Sequence, residues 1–443
     1  MDFKKIAENY KNNMVKDLSG FVSIPSTLSE QPENKDCPFG EACKDALLYI
    51  LDLGKKMGFE TKNIDNVCGH IEYGDGEEII GVLCHADVVP AEGVWTSDPY
   101  QARIDGDKLY ARGAIDDKGP AISSLYALKM LKDNNIKLTK RVRLIIGTDE
   151  ESGSRGLKRY LEVEKMPDVG FSPDAEFPLI YGEKGIMSID IISHNEDKDL
   201  MVSSGDRYNI VPAEAMMKYD KLVSSFGEFV KEKDYQGEVV DGIMYMHGLA
   251  SHAMEPRNGI NAALRLCEFI QNDSPLAKFA VDYLSDSRFS NVGLNFTDYE
   301  MGDMTCNFAV LKIKEKEGKI GLNFRYPVRW DKEKFIHALS DACEKYGLEL
   351  KLLGDSKPHY LSPDDELVKI LLSSYQEYTG DYDSKPVTIG GGTYARGLKR
   401  AVAFGQVFPG EVDLAHQADE YISISKMALA SAIYASAIVK LGK

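Results

Sequence analysis

The stretch Ile79-Ile80-Gly81-Val82-Leu83-Cys84-His85-Ala86-Asp87 decides the fold, because a short apolar run is followed at once by polar side chains. The run from Ile79 to Cys84 is typical of a buried strand. His85 then falls at the carboxyl end of that strand. Since open α/β sheets gather their sites at the carboxyl ends of their strands, this stretch predicts an α/β fold with a site that includes His85.

The same arrangement recurs further along the chain, and helices are predicted on both sides of this stretch. Val142 to Thr148 predicts a second strand that delivers Glu150 and Glu151 to the loop beyond it. Apolar residues spaced by three or four predict helices, which are Glu41 to Met57, Gly119 to Leu131, Asp365 to Tyr378 and Lys426 to Lys440. Strands that alternate with helices in this way favour an α/β sheet with helices on its faces.

Composition limits the class of protein. A chain of 443 residues exceeds what one hydrophobic core usually supports, so we expect two domains. A net charge of −17 repels phosphate and anionic lipid, which argues against nucleic acid and membrane as partners. No apolar segment of 18 residues is expected, and the 7 cysteines form no paired motif. We therefore expect a cytoplasmic protein with reduced thiols.

Five short polar motifs each follow an apolar stretch. They are CHADVVP (84–90), RGAIDDKG (112–119), DEESGS (149–154), PDAE (173–176) and AHQADE (415–420). Imidazole nitrogens and carboxylate oxygens suit divalent metal ions. The motifs therefore predict a two-metal site and a hydrolase, with the candidate ligands His85, Asp116, Glu151, Asp174 and His416.

Each motif taken alone has an ordinary explanation. The acidic run at Glu150 and Glu151 is typical of a solvated turn. Asp116 could start a helix, where acidic residues suit the helix dipole. Asp174 is not distinguished by spacing from Glu176, which points to the same face of an extended segment.

Together and in this order, the motifs resemble those of the M20 metallopeptidases, and within that family the bacterial PepV-type dipeptidases. The resemblance covers nearly the whole chain. It implies that Asp116 bridges two ions, that His85 and Asp174 complete one ion, and that Glu151 and His416 complete the other. It also implies a cis peptide bond between Asp116 and Asp117.

The resemblance also assigns catalytic roles next to the ligands. Glu150 corresponds to the general base that takes the proton of a metal-bridged water and passes it to the leaving amine. Asp87 corresponds to the carboxylate that holds a ligand imidazole in its metal-binding tautomer. His252, in the motif SHAMEP (251–256), corresponds to an oxyanion donor at the scissile carbonyl.

Further motifs resemble substrate-binding segments of the same enzymes. Asn209 begins NIVP (209–212), and Arg325 lies in NFRYP (323–327), where its guanidinium could bind a carboxylate in a bidentate manner. The run GGGTYAR (390–396) brings Gly391, Gly392 and Thr393 to the terminal carboxylate of the substrate by the same resemblance. The glycines let backbone amides approach an anion, although a tight turn alone would also use them.

Between 183 and 359 the sequence changes to strand hairpins, with alternating strands from Asn307 to Ile313 and from Lys319 to Arg325. Because His416 follows this segment and the other ligands precede it, the metal domain must be discontinuous. We predict an α/β fold in which residues 1–182 and 360–443 form a dinuclear metal domain with a mixed sheet flanked by helices. Residues 183–359 form an inserted α+β lid domain, long enough for two modules.

The resemblance leads to a specific expectation of function. We expect a cytoplasmic, monomeric dipeptidase with two divalent ions, zinc first and manganese or cobalt as alternatives. It would cut dipeptides that have a free N-terminus. Two alternatives stay open. The first is an M20 deacylase or amidohydrolase that acts on N-acyl amino acids. The second is a catalytically silent metal-binding homologue. A free base at Glu150 argues against the silent homologue.

Overall fold

The apolar run that begins at Ile79 forms a fully buried strand that ends at His85. The other predicted elements of this region also form, with bounds that differ from the predicted ones by a few residues. The helix expected from Gly119 to Leu131 spans Lys118–Asp133. The strand expected from Val142 to Thr148 spans Arg141–Gly147.

The computed structural model describes residues 1–443. The helices are α1 (Phe3–Val22), α2 (Glu41–Lys56), α3 (Lys118–Asp133), α4 (Arg155–Val163), α5 (Val223–Glu232), α6 (Ala262–Ile270), α7 (Pro275–Leu284), α8 (Lys332–Lys345), α9 (Glu366–Thr379) and α10 (Ile424–Leu441). The strands are β1 (Glu60–Ile64), β2 (Cys68–Tyr73), β3 (Ile79–His85), β4 (Arg103–Asp105), β5 (Lys108–Tyr110), β6 (Arg141–Gly147), β7 (Val169–Ser172), β8 (Ala175–Glu176), β9 (Ile180–Glu183), β10 (Gly185–Ser193), β11 (Met201–Ser204), β12 (Glu214–Lys218), β13 (Gln236–Val240), β14 (Ile243–His247), β15 (Thr297–Asp298), β16 (Gly302–Asp303), β17 (Thr305–Lys314), β18 (Glu317–Tyr326), β19 (Glu349–Ser356), β20 (His359–Tyr360), β21 (Val387–Ile389), β22 (Ala401–Ala403), β23 (Gln406–Val407) and β24 (Tyr421–Ser423).

The chain divides into two compact units. The first unit contains residues 1–181, 361–387 and 393–443, and the second contains residues 182–360 and 388–392. The first unit is therefore discontinuous in sequence. The short segment 388–392 belongs to the second unit, although it lies within the range that the sequence places in the metal domain.

A mixed sheet forms the centre of the first unit. Its strands follow the order β1-β2-β6-β3-β7-β22-β9. Strands β6, β3, β7 and β22 are parallel to one another, whereas β2 is antiparallel to β6 and β9 is antiparallel to β22. Helices α1, α3 and α10 pack against one another, and α2 and α4 pack on β2. The carboxyl ends of β3, β6 and β7 meet at one edge, where a parallel sheet places its site.

The second unit is built on one continuous antiparallel sheet of eight strands, in the order β13-β14-β12-β11-β17-β18-β10-β19. Helices α5 and α6 pack on the half of the sheet that contains β14, and α7 and α8 pack on the half that contains β10 and β19. The predicted hairpin is present as β17 and β18, and the two residues of its turn, Glu315 and Lys316, have positive φ. The predicted fold class, a discontinuous α/β part with a mixed sheet and an inserted α+β part, is confirmed.

One expectation about apolar segments was wrong. Helix α10 has 18 residues with a mean hydropathy of 1.4, so by length and composition it could cross a membrane. The sequence analysis had expected no such segment. In the structure 67% of this helix is buried inside the protein, where it packs on α1, α3 and α9.

Candidate functional site

The structure brings all five predicted ligands together at one edge of the first unit. His85 is the last residue of β3, Asp174 lies just after β7, and Glu151 lies in the loop after β6. Asp116 comes just before α3, and His416 lies in the loop before β24. The cluster therefore assembles from the carboxyl ends of three parallel strands and from two loops.

Asp116 lies between the two histidines. Its Oδ1 atom is 2.9 Å from Nε2 of His85, and its Oδ2 atom is 2.9 Å from Nε2 of His416. The residues form two groups with the spacing of metal ligands, and Asp116 belongs to both. The first group contains His85, Asp116 and Asp174. The second group contains Asp116, Glu151 and His416, and in each group the ligand atoms lie within 4.8 Å of one another. This geometry suits one carboxylate shared by two ions.

The imidazole of His85 is oriented as a metal ligand. Its Nδ1 atom lies 3.0 Å from the main-chain carbonyl oxygen of Asp87, which can only accept, so Nδ1 carries the proton. In the neutral form that binds a metal ion, the ring would direct the lone pair of Nε2 toward Asp116 and Asp174, the latter 3.6 Å away. Nε2 of His85 and Oδ1 of Asp116 are both buried without a hydrogen-bond partner. A cation bound by both atoms would satisfy them, so the residues fit a metal ion.

The carboxylate of Asp87 lies close to two of the loops that carry ligands. Its Oδ1 atom is 3.5 Å from Nδ1 of His85, farther than the main-chain oxygen of the same residue. Its Oδ2 atom accepts a hydrogen bond of 3.2 Å from the backbone N–H of Glu151. Asp87 therefore links the loops that carry His85 and Glu151, and its backbone rather than its side chain is the nearer partner of the imidazole.

The electrostatics of the cluster favour positive charge. Burial opposes the charged imidazole, but Asp116, Asp174 and Asp87 raise the pKa of His85 well above its ordinary value. Hydrogen bonds that His416 donates to the carboxylates of Asp116 and Glu151 raise the pKa of His416 to about 11. Burial and the nearby charge of Asp116 raise the pKa of Glu151 to about 7. Divalent ions would supply the positive charge that these carboxylates attract.

Asp174 and Glu176 are separated by the structure. Asp174 lies inside the cluster, whereas Glu176 is exposed and lies in β8 outside it. Two residues that the sequence could not distinguish thus have different surroundings. The cis peptide bond expected between Asp116 and Asp117 is present.

Glu150 and Glu151 are presented by a tight turn after β6. Asp149 is fully buried and has a φ of 81°, and its carboxylate accepts hydrogen bonds from the backbone and the guanidinium of Arg155. Glu151 lies 3.1 Å from Nε2 of His416. The carboxylate of Glu150 makes neither a hydrogen bond nor an ion pair, and burial raises its pKa well above the ordinary value. The two neighbours therefore differ in contacts, as a ligand and a base would.

His252 and Asn209 lie side by side in the second unit. Ile210 and His252 form an isolated β-bridge, and the backbone N–H of Ala253 donates to the carbonyl oxygen of Asn209 at 2.9 Å. The backbone N–H of Met254 donates to Nδ1 of His252 at 3.1 Å. Because Nδ1 accepts this bond, the proton of the neutral ring lies on Nε2. His252 is exposed and thus presents an N–H donor.

The glycine run joins the same group of residues. Nη1 of Arg325 donates to the carbonyl oxygen of Gly390 at 2.8 Å, and its Nε donates to Asn323. A side chain at Gly390 would collide with Met254, since a Cβ there would lie 2.3 Å from Cγ of that residue. The His252 loop, Gly390 and Arg325 therefore contact one another. Arg325 is buried, with 5% exposure, and part of its guanidinium holds the glycine run.

The remaining predicted substrate residues divide between the units. Gly391 and Gly392 follow Gly390 in the second unit, and Gly392 is exposed. Thr393 belongs to the first unit, where its hydroxyl accepts a hydrogen bond from the backbone N–H of Ala395. Thr393 therefore begins a short turn that follows the glycines.

Sequence reasoning missed Asn307, which supports the segment around Asn209. Asn307 is fully buried, and its Nδ2 atom donates to the carbonyl oxygens of Tyr208 and Ile210 at 3.1 and 2.8 Å. The alternation that predicts β17 could have drawn attention to it, because an amide stands there among apolar residues. The backbone that Asn307 binds lies about a hundred positions away in the chain. No local sequence pattern shows such a contact.

Comparison with known proteins supports these observations. Residues 81–440 match the sequence model of the family described as "Peptidase family M20/M25/M40". A Bacillus subtilis (strain 168) protein named "Putative dipeptidase YtjP" is 44% identical over 457 residues, which cover 98% of both chains. The crystal structure of human carnosine dipeptidase 1 has a TM-score of 0.62 at 14% identity and covers 99% of this chain and 98% of that chain. The structure of the di-peptidase Dug1p from Saccharomyces cerevisiae has a TM-score of 0.61 at 15% identity, with coverage of 99% and 98%. These structures share the fold of this chain.

Proposed function

Because this chain belongs to peptidase family M20, we propose that it is a PepV-type dipeptidase that hydrolyses dipeptides with a free N-terminus. The observation that carries the proposal is the pair of ligand groups that share Asp116, with the unengaged carboxylate of Glu150 beside them. Relatives that match 98% or more of the chain are named as dipeptidases, which supports the substrate class.

Two divalent ions would be held by the five ligands, one by His85 and Asp174 and the other by Glu151 and His416, with Asp116 shared. Zinc suits this set of two imidazoles and three carboxylates, and manganese and cobalt are alternatives. When bound, the ions lower the pKa of a water and stabilise negative charge on the substrate oxygen. Three carboxylates against four positive charges leave the site positive, which favours an anionic transition state.

Glu150 then acts as the general base. Its carboxylate makes no hydrogen bond or ion pair, so it is available to accept the proton of the attacking water. The same carboxyl group can return the proton to the leaving amine. Glu151 cannot take this role, because it is engaged with His416.

His252 supplies a hydrogen-bond donor to the scissile carbonyl. The bond from Met254 to Nδ1 places the proton of the ring on Nε2, and the side chain is exposed. An N–H donor stabilises the oxygen more strongly as its negative charge grows, so it accelerates the reaction rather than only binding the substrate. Asn209 lies beside His252 and would contact the same part of the substrate.

The terminal carboxylate of the dipeptide would be bound by Arg325 with Gly391, Gly392 and Thr393. Arg325 is buried and donates to the carbonyl oxygen of Gly390, which supports a shared anion-binding role for the guanidinium and the glycine run. A buried cation discriminates strongly against a substrate that lacks the matching anion. This requirement would limit the enzyme to short peptides with a free C-terminus.

We also propose that the enzyme acts as a monomer in the cytoplasm. The second unit is one continuous sheet with two pairs of helices, so a single chain carries both the Asn209 segment and the His252 segment. All seven cysteines are free and buried, as suits a reducing compartment.

A panel of substrates tests the proposed function. The purified enzyme, loaded with zinc, is assayed on α-dipeptides, a β-alanyl dipeptide, tripeptides and N-acetyl amino acids. We expect α-dipeptides to have the highest kcat/KM. Preference for N-acetyl amino acids would assign the chain to the deacylases instead, and no turnover of any amide would indicate a silent homologue.

A further inference from the structure

The carboxylate of Glu420 lies at the junction of the loops that carry the ligands. It is fully buried. Its Oε1 atom accepts hydrogen bonds from the backbone N–H groups of Ile115 and Asp116, at 2.9 and 3.2 Å. Glu420 therefore holds the backbone of the residue whose side chain is shared by both ligand groups. It stands only four positions after His416, so it also ties the His416 loop to the Asp116 loop.

The second oxygen of Glu420 is bound by Arg112. Nη1 of Arg112 lies 2.5 Å from Oε2 of Glu420, and both side chains are almost fully buried, with 1% and 0% exposure. The backbone N–H of Arg112 donates to the carbonyl oxygen of Pro99 at 2.8 Å, and its guanidinium lies over the ring of Trp95. The pair thus reaches a third loop, which follows the motif of His85. A buried ion pair is costly to form, so its retention here calls for a role beyond stability.

The His416 loop needs such support because its backbone is strained. His416 has a φ of 66° and Asp419 a φ of 57°, values that side chains other than glycine rarely adopt. Asp419 is held by the backbone and hydroxyl of Thr96, at 3.0 and 2.6 Å. Strained residues persist only where their surroundings fix them, and they cluster at functional sites. Glu420 and Asp419 fix this loop from two sides.

We propose that Glu420, paired with Arg112, is a positioning residue that sets the spacing of Asp116 and His416 for the two metal ions. This inference rests on the proposed dinuclear function. The Glu420 carboxylate contacts only backbone N–H groups and Arg112, so it acts through Asp116 and does not ligate an ion itself. Loss of the Glu420 charge should make the position of Asp116 less fixed and lower the affinity for the metal ions. Substitution of other residues that orient metal ligands has the same effect.

The test measures how tightly the full-length protein holds Co²⁺. The protein is loaded with Co²⁺, its visible absorption is recorded, and the ion is withdrawn with increasing chelator. We expect Glu420→Gln to lose Co²⁺ at about 10- to 100-fold lower chelator and to show an altered absorption spectrum. Glutamine keeps the size of the side chain but places an amide where Arg112 needs an anion. Arg112→Lys keeps a cation against Glu420 and should show a smaller loss.

Glu164→Gln is the matched control. Glu164 lies in the same unit, its side chain is 9% exposed, and it accepts a hydrogen bond of 2.9 Å from Arg143. We expect this variant to hold Co²⁺ as wild type does. Wild-type affinity and spectrum in Glu420→Gln would overturn the proposal, and so would an equal loss in the control.

Two further outcomes, misfolding of Glu420→Gln and absence of Co²⁺ binding by wild type, can be distinguished from failure of the proposal. If Glu420→Gln does not fold, Arg112→Lys carries the test, and wild-type Co²⁺ retention in that variant would overturn the proposal. A wild-type protein that binds no Co²⁺ would instead contradict the dinuclear function itself.

Discussion

The backbone N–H of Met254 donates a hydrogen bond of 3.1 Å to Nδ1 of His252. This contact fixes the ring in the tautomer whose Nε2 carries the proton. In the proposed role the donor would be set before any substrate binds, and no reorganisation would be needed as negative charge develops on the scissile oxygen. A residue in the loop thus prepares His252 for its proposed role.

The first prediction concerns His252. His252→Ala should lower kcat by about 10²- to 10³-fold and change KM much less, because an oxyanion donor acts mainly in the transition state. Steady-state kinetics on a preferred dipeptide measure the two constants separately. His247→Ala is the control, since His247 lies in the same unit on β14 outside the proposed site. Equal losses in both variants, or a change confined to KM, would contradict the oxyanion role.

The second prediction separates the adjacent glutamates. Glu150→Gln should keep both metal ions and lower kcat by about 10²- to 10⁴-fold, the range for loss of a general base. Glu151→Gln should lose metal, because Glu151 lies within the ligand group of His416. Metal analysis of the purified variants, alongside kcat, decides between them. If Glu150→Gln loses metal and Glu151→Gln keeps it, the two roles are reversed.

The third prediction concerns the C-terminal carboxylate of the substrate. Amidation of a dipeptide should lower kcat/KM by a factor that corresponds to about 2 to 3 kcal/mol, because the buried Arg325 is left without its anion. The comparison uses one dipeptide, its amide and the tripeptide extended at the same end. Turnover of the amide at the rate of the free acid would show that Arg325 serves only to hold Gly390.

The fourth prediction concerns pH and stability. His70 is buried, with 5% exposure, and burial followed by the charge of Arg143 lowers its pKa to about 4. Below the ordinary histidine pKa of about 6.5 the unfolded chain takes up a proton that the folded protein does not. Stability should therefore fall as the pH decreases from about 6.5 to about 4, by up to about 3 kcal/mol from this residue.

Urea unfolding of wild type and His70→Gln at pH 7.5 and pH 5 measures this effect. The variant should lose less stability between the two pH values than wild type does. His337→Gln serves as the control, because the side chain of His337 is 81% exposed. If His70→Gln has the same pH dependence of stability as wild type, groups other than His70 cause the loss of stability at low pH.

Much of the metal centre could be predicted from sequence because its signals are local. His85 and Glu151 each follow a strand that the apolar pattern predicts, so the sequence places both at one edge of the sheet. The choice of Asp174 over Glu176 came from the resemblance alone. The structure supplies a physical reason, since only Asp174 faces His85.

The contacts that support these residues could not be predicted. Glu420 stands in a motif that the sequence reveals, yet its bond to Asp116 spans 304 positions. The bond from Arg325 to the carbonyl oxygen of Gly390 spans 65 positions. The expectation that no apolar segment of 18 residues occurs was wrong for α10, and only the structure shows that most of this helix is buried inside the protein. Such features depend on tertiary packing, which local patterns do not encode.

The last prediction concerns whether His252 acts within its own chain. We expect a monomer near 49.3 kDa, because residues 183–359 are long enough for two lid modules within one chain. A Glu150→Ala chain mixed with a His252→Ala chain, under conditions that allow subunit exchange, should then stay inactive. The control mixes Glu150→Ala with a chain that carries both substitutions, which no exchange can restore. If only the first mixture regains activity, His252 reaches the metal centre of a partner chain and the single-chain proposal is wrong; inactivity of both, with light scattering at the monomer mass, supports it.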